Sequence, residues 1–323
     1  MHIGYSLSSE EHPPKALVEQ AVKAEEAGFE LALISDHFHP WSDRQGQSPF
    51  VWTVLGAIAE KTSRLKLGTG VTCPLIRMHP AIVAQAAATV AAMMPGRFFL
   101  GVGTGENLNE HITGARWPGF SVRLEMLEEA VEVMRTLWQG GFQTHHGRYY
   151  SVENARIYTL PQPPPTVYVA AASKKTAQIA GKIGDGLISV APKREVVDAF
   201  DQAGGRGKPK LGQLTVCWAE DEARARRIAK EWWPMAAVPG AASQELPLPS
   251  NFEQVSSIVS EDLLAQSIVC GPDPQKHLDA IRKFAQAGFD HVYVHQVGPE
   301  QDAFFEAYRR EVLPQMERIG TAA

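Results

Sequence analysis

The segment Ile34-Ser35-Asp36-His37-Phe38-His39-Pro40-Trp41 puts a carboxylate, two imidazoles and an indole at the end of a short apolar run. A strand tip of that composition reads as the edge of an active site rather than as core. A second tip, Phe98-Phe99-Leu100-Gly101-Val102-Gly103-Thr104-Gly105-Glu106, ends in a carboxyl. Imidazole titrates near pH ~6.5, so His37 is the best candidate for a general base at neutral pH. His39 is the competing histidine, with a loop-shaping role as its alternative. Glu106 is the natural acid partner, because partial desolvation raises a carboxyl and lets it hold a proton. Its plainer reading is a helix-start carboxylate facing the macrodipole.

Two small-residue stretches belong with these tips. The glycines of Gly101-Val102-Gly103-Thr104-Gly105 lie within and just beyond a strand, not at the opening of a helix as a dinucleotide fingerprint requires. They read as small residues that let a flat ring approach the backbone. Ala170-Ala171-Ala172-Ser173-Lys174-Lys175-Thr176 reads as a strand-to-helix junction. Its helix N-terminus and two lysines suit an anion, although surface lysines at a helix start are common.

The elements that must carry these tips alternate along the chain. Strand patterns fall at Ile3–Leu7, Leu31–Ser35, Leu65–Val71, Phe98–Val102, Val167–Ala171, Leu187–Val190, Leu214–Trp218 and His291–His295. Helical patterns fall between them: Leu17–Ala27 opened by Pro13-Pro14, Phe50–Ala59, Pro80 to Ala92, Arg123–Leu137, Lys175 to Gly181, Ala223–Trp233, Pro272–Ala287 and Phe304–Ile319. Parallel strands need helical crossovers, and about eight βα units predict an α/β fold, a single (β/α)8 TIM barrel over residues 1–323. Insertions are expected near 140–160, where tyrosines sit among glycines, and at 238–258. In such a barrel, active sites lie at the C-terminal ends of strands. That rule gathers Asp36, His37, His39 and Trp41; Thr69–Cys73; Thr104, Glu106 and Asn109; Ala171–Lys175; and His295 with Gln296.

Composition excludes several classes. A net charge of -5 lacks the basic footprint of a nucleic-acid binder. The three cysteines, Cys73, Cys217 and Cys270, are far apart, which predicts reduced thiols in a cytoplasmic protein with no metal site. The start, Met1-His2-Ile3-Gly4, reads as a first strand rather than a signal peptide, and no stretch is apolar for long enough to span a membrane.

Taken together, the motifs resemble the luciferase-like monooxygenase superfamily. Within it they resemble the coenzyme F420-dependent dehydrogenases of the glucose-6-phosphate and secondary alcohol type. The resemblance is carried by Ser35–Trp41, Thr72-Cys73-Pro74-Leu75-Ile76-Arg77-Met78-His79-Pro80, Gly101–Glu106 and Gly181-Lys182-Ile183-Gly184-Asp185-Gly186. It runs nearly the whole length and weakens between about 190 and 265. It implies a bacterial luciferase-like barrel, coenzyme F420 as cofactor, a small-molecule substrate and a homodimer. It implies that His37 takes the substrate hydroxyl proton, that Trp41 packs over the reacting centre, and that Glu106 protonates the deazaflavin nitrogen as hydride arrives at C5. It further implies that Glu10 and His39 line the substrate pocket and that Gly70-Val71 is a cis peptide behind the ring. Asp36, Thr72, Asn109 and Ala171, Ala172, Ser173, Lys174, Lys175 and Thr176 match coenzyme-contacting positions.

One departure concerns the substrate. Sugar-phosphate members hold phosphate with lysines and an arginine, whereas the matching positions here, near Thr215 and Gln254, are uncharged. No Lys or Arg occurs from Glu231 through Gln275. A phosphate dianion needs charge-assisted donors, so a neutral or apolar alcohol is expected, unless Lys193, Arg194 or Arg282 reaches the pocket. A sugar-6-phosphate dehydrogenase and an FMN-dependent monooxygenase are the alternatives within the superfamily. The coenzyme could also run in reverse as a reductant, and a non-catalytic binding protein on the same scaffold is a further alternative.

Overall fold

The computed structural model describes residues 1–238, 240–316 and 319. The strands are β1 (His2–Leu7), β2 (Leu31–Ile34), β3 (Lys66–Thr69), β4 (Phe98–Val102), β5 (Gln143–His146), β6 (Ser151–Ala155), β7 (Thr166–Ala170), β8 (Gly186–Ser189), β9 (Lys210–Cys217), β10 (Val269–Cys270) and β11 (His291–Gln296). Their order is β10-β9-β11-β1-β2-β3-β4-β7-β8, and a β9–β8 pairing closes the ring. Every pairing within this sheet is parallel. The eight strands expected from sequence are the eight that close the barrel. The ninth, β10, is two residues long and adds to β9 beyond the stretch that β8 covers.

Side-chain alternation along the strands makes two cores. Inward residues Leu31, Leu33, Phe99, Ile188, Leu211 and Tyr293 fill the barrel, with Val71 and Tyr168 packed against them. Outward residues such as Ile3, Leu7, Ala32, Ile34, Leu67, Leu100, Val169 and Val292 meet the helices in the larger core. The helices begin and end where local chemistry dictates. Helix Pro14–Ala27 has proline in its first turn and stops at Gly28, which is left-handed at φ 103°. Helix Lys174–Ile183 starts in a reciprocal Ser173/Thr176 capping box.

Some segments differ from the expectation. Helix Arg194–Phe200 escaped notice because it has seven residues, too few to show a period. Residues 238–258 are not irregular throughout: helices Gly240–Ser243 and Pro249–Ser256 lie within them. The expected terminal helix Phe304–Ile319 instead runs as α-helix over Gln301–Ala307, then as a π turn and a 3₁₀ turn to Gln315. Residues 239, 317, 318, 320 and 321–323 lie outside the described residues. Among the described residues no helix is long and apolar enough to cross a membrane, and Cys73, Cys217 and Cys270 are free and buried.

Candidate active site

The C-terminal ends of β1 and β2 carry one hydrogen-bonded unit. Glu10, 2% exposed, follows β1 and presents Oε1 to His37 Nε2 at 3.4 Å. Its Oε2 accepts from the hydroxyls of Ser35 at 2.5 Å and Ser8 at 3.1 Å. Burial alone would raise the Glu10 carboxyl. His37, the Ser35 hydroxyl and its own backbone N–H outweigh burial and hold it below its ordinary value. The Trp41 ring lies 4.9 Å from that of His37, tilted by 58°, and meets Phe252 edge-on at 5.0 Å. Phe252 belongs to helix Pro249–Ser256, so the late insertion roofs the strand-two tip. Met235, Val238 and Leu108 join the same cluster.

Asp36 sits one residue away but faces a different network. Its Oδ1 accepts from Arg77 at 2.8 Å and its Oδ2 from Thr72 at 2.7 Å. Arg77 also reaches the Asp36 carbonyl and both oxygens of Glu110, which is fully buried. Burial raises the Glu110 carboxyl, against the opposing pull of Arg77. One buried cation thus serves two buried carboxylates. The guanidinium was invisible as a site residue in sequence, because its partners lie 41 and 33 positions away.

The strand-four tip is tied to the strand-two tip by Asn109. Its Oδ1 accepts from the backbone N–H groups of Phe38 at 2.9 Å and His39 at 3.2 Å, while its amide donates to Glu106 Oε2 at 3.4 Å. Glu106 stands at the N-cap of the short helix Asn107–Glu110, where the helix-start reading expects it, without a side-chain capping bond. His39 is held by its Nδ1 contact to the Leu108 carbonyl at 2.8 Å and stacks on His111.

The peptide between Gly70 and Val71 is cis. The following residue, Thr72, bridges to Val102 in parallel register, extending the sheet at the mouth. Two glycines of the strand-four tip have a structural reason of their own. A Cβ on Gly101 would lie 2.0 Å from the Thr69 carbonyl oxygen, so strand packing demands glycine there. Gly105 turns the chain at φ +70°, against Cys73. Beyond β7, Ala172, Ser173, Lys174 and Lys175 are exposed around the capped start of helix Lys174–Ile183.

Two residues beside the first unit were not singled out from sequence. Glu11, also buried, accepts from His295 Nε2 at 2.8 Å and from the Gly298 N–H at 2.9 Å. His12 follows, and burial lowers its imidazole. The Trp233 ring stands edge-on to His295 at 4.4 Å. The signal that could have found this group was Glu10-Glu11-His12 directly after an apolar strand. Two of the three alternative cations pair away from this mouth. Arg194 binds Asp198 and the Gln286 carbonyl, near the far end of helix Pro274–Ala287, and Arg282 pairs with Asp279 on that helix's exposed side. The third, Lys193, is exposed in the loop after β8, at the C-terminal end of that strand and so on the side of the mouth.

This barrel has known relatives. The sequence profile described as luciferase-like monooxygenase matches residues 1–291. The F420-dependent glucose-6-phosphate dehydrogenase of Intrasporangium calvum is 35% identical over 97% of this chain and 98% of its own length. The protein of the same name from Tsukamurella paurometabola is 33% identical over 99% of each chain. Among solved structures, an F420-dependent secondary alcohol dehydrogenase in complex with an F420-acetone adduct aligns with a TM-score of 0.89 and 29% identity. That alignment covers 96% of this chain and 98% of that one. The coenzyme F420-dependent tetrahydromethanopterin reductase of Methanopyrus kandleri shares the fold, with a TM-score of 0.78 at 21% identity over 98% and 99%. With a profile match reaching from the first strand to the last, this chain belongs to the luciferase-like monooxygenase family.

Proposed function

We propose that this protein is a coenzyme F420-dependent oxidoreductase that interconverts a non-phosphorylated alcohol and its carbonyl compound. The observation that carries the reading is the His37 imidazole set between the Glu10 carboxylate at 3.4 Å and the Trp41 ring, on a loop whose Phe38 and His39 N–H groups are tied through Asn109 to Glu106. The names of the curated relatives and of the alcohol dehydrogenase support the coenzyme.

The residues present suit such a coenzyme. Gly70-Val71 and Thr72 would back a flat ring, with Asp36 and Asn109 at its edge. The exposed Ala172–Lys175 segment at a capped helix start, with Ala171 and Thr176 beside it, would take an anionic tail. When bound, coenzyme F420 supplies a hydride-accepting carbon. The remaining work falls to the chain. His37 takes the hydroxyl proton of the alcohol, and Glu10 stabilises the imidazolium that results. Trp41, braced by Phe252, excludes water and confines the substrate above His37. Glu106 holds the proton required at the ring nitrogen. Thr215 and the Lys/Arg-free stretch from Glu231 through Gln275 support an uncharged substrate, as do the outside pairings of Arg194 and Arg282.

The test is a fluorescence titration with coenzyme F420 and with FMN, followed by turnover with neutral alcohols and glucose 6-phosphate. His37→Ala should lower turnover by about 10²–10⁴-fold while leaving coenzyme affinity within a few-fold. Near-normal turnover removes His37 from the base role. Preference for FMN moves the protein to the monooxygenase branch, and selective use of glucose 6-phosphate overturns the uncharged substrate.

A further inference from the structure

The barrel mouth is layered. Tyr293 lies in the interior cluster, and its hydroxyl donates to Gln213 Oε1 at 3.1 Å, making a polar floor. Two residues further along each strand, His295 on β11 and Thr215 on β9 face the same way, one step nearer the mouth, because strand side chains repeat every second residue. The two are direct partners in register.

Neither is consumed by the chemistry proposed above. His295 is 1% exposed, and its Nε2 is engaged by Glu11. A carboxylate can only accept, so Nε2 carries a hydrogen, and Nδ1 is the ring's remaining polar atom. That Nδ1 is buried and meets no partner among the described residues. Trp233 packs against the ring and Gly298 N–H anchors Glu11, so turning the imidazole aside would break its Trp233 contact and its bond to Glu11. Thr215 is half-buried, and its hydroxyl bonds to no described residue. A buried polar atom left bare is costly. A ring nitrogen and a hydroxyl side by side complement one group in particular: another hydroxyl, which can both donate and accept. The reacting position is close by, since Glu11, which holds His295, is the chain neighbour of Glu10, which faces His37.

We infer that His295 Nδ1 and the Thr215 hydroxyl form a subsite for a second, uncharged hydroxyl of the substrate, so that the alcohol acted on at His37 is a diol or polyol. The inference rests on the function proposed above and narrows its substrate class. It makes Thr215 and His295 specificity-determining residues and gives Glu11 the task of fixing the His295 ring.

The experiment compares matched alcohols in coenzyme F420 reduction by the purified protein: propan-2-ol with propane-1,2-diol, and cyclohexanol with cyclohexane-1,2-diol. The wild type should favour each diol by about tenfold or more in kcat/KM, as one satisfied buried polar atom predicts. Thr215→Val keeps the shape and removes the hydroxyl, and the diol-to-alcohol ratio should fall several-fold. Equal kcat/KM for diol and alcohol in the wild type overturns the subsite, as does an unchanged ratio in the valine variant. Both results require only that the coenzyme is bound and reduced. If the protein fails to bind coenzyme F420, the proposed function falls, and this inference falls with it.

Discussion

Replacing Glu10 by Gln keeps the shape of the His37 partner and removes its charge. When His37 takes a proton from substrate it becomes a cation 3.4 Å from a buried carboxylate. Two unit charges at that separation attract by about 5 kcal/mol at an effective dielectric constant of about 20. The glutamine dipole would keep part of this, as would the Ser35 and Ser8 hydroxyls that already line the group. A loss of about 2–3 kcal/mol, or roughly 10²-fold in kcat/KM, is therefore expected. Coenzyme affinity should hold, because Glu10 stands on the substrate side. The acid limb gives a second readout. His37 and Ser35 hold the Glu10 carboxyl below its ordinary 4.5 despite burial. A carboxyl with a lowered folded value adds stability above its unfolded value, and that stability is lost as pH falls through the folded one. Wild type should carry this acid-labile component below pH 4.5, and Glu10→Gln should lack it. Steady-state kinetics and thermal melts across pH decide the matter. A variant with kcat/KM within threefold of wild type would refute the charge-stabilisation argument.

Two further substitutions probe the supports. Arg77→Met removes the single cation shared by Asp36 and Glu110, both buried. It should cost about 3–5 kcal/mol in unfolding free energy at neutral pH. Because burial already raises Glu110, the deficit should shrink towards pH 4.5 and grow as pH rises; melts that show the opposite trend would discredit the assignment. Arg123 is fully buried, lies over Trp117, and grips the side chains of Gln244 and Glu245 at 3.1 Å. Arg123→Met should release that stretch of the insertion, read as faster proteolytic nicking between 240 and 248, and unchanged nicking would deny it a clamping role.

Much of this was legible because a strand tip is a local object. The runs ending at Ser35, Val71, Val102 and Ala171 announce themselves by short apolar stretches that stop in small or polar residues, and a parallel barrel gathers such tips at one end. The side chains that lock the tips together are not local. Glu11 and His295 stand 284 positions apart, and Gln45 reaches Trp232 across 187, so no window of sequence contains either pair. The packing need of Gly101 was hidden for a related reason. It is set by Thr69 on the neighbouring strand, and a sequence displays neighbours along the chain, not across a sheet. The insertion read as irregular because its two helices are short and its apolar residues Val238, Leu246 and Phe252 cluster with Trp41 and Leu108, far away in the chain.

Glu10 and Glu11 are consecutive, and β1 lies between β11 and β2. One glutamate turns towards His37 beyond β2, and the other turns towards His295 on β11. A single planar peptide therefore joins the two histidines' partners, with no soft torsion inside it. Energetically the two walls of the mouth are one object. A double-mutant cycle on His37 and His295, although they are far apart in the chain, is therefore expected to depart from additivity. Any redesign that swaps one wall for a new specificity has therefore to be selected together with the other.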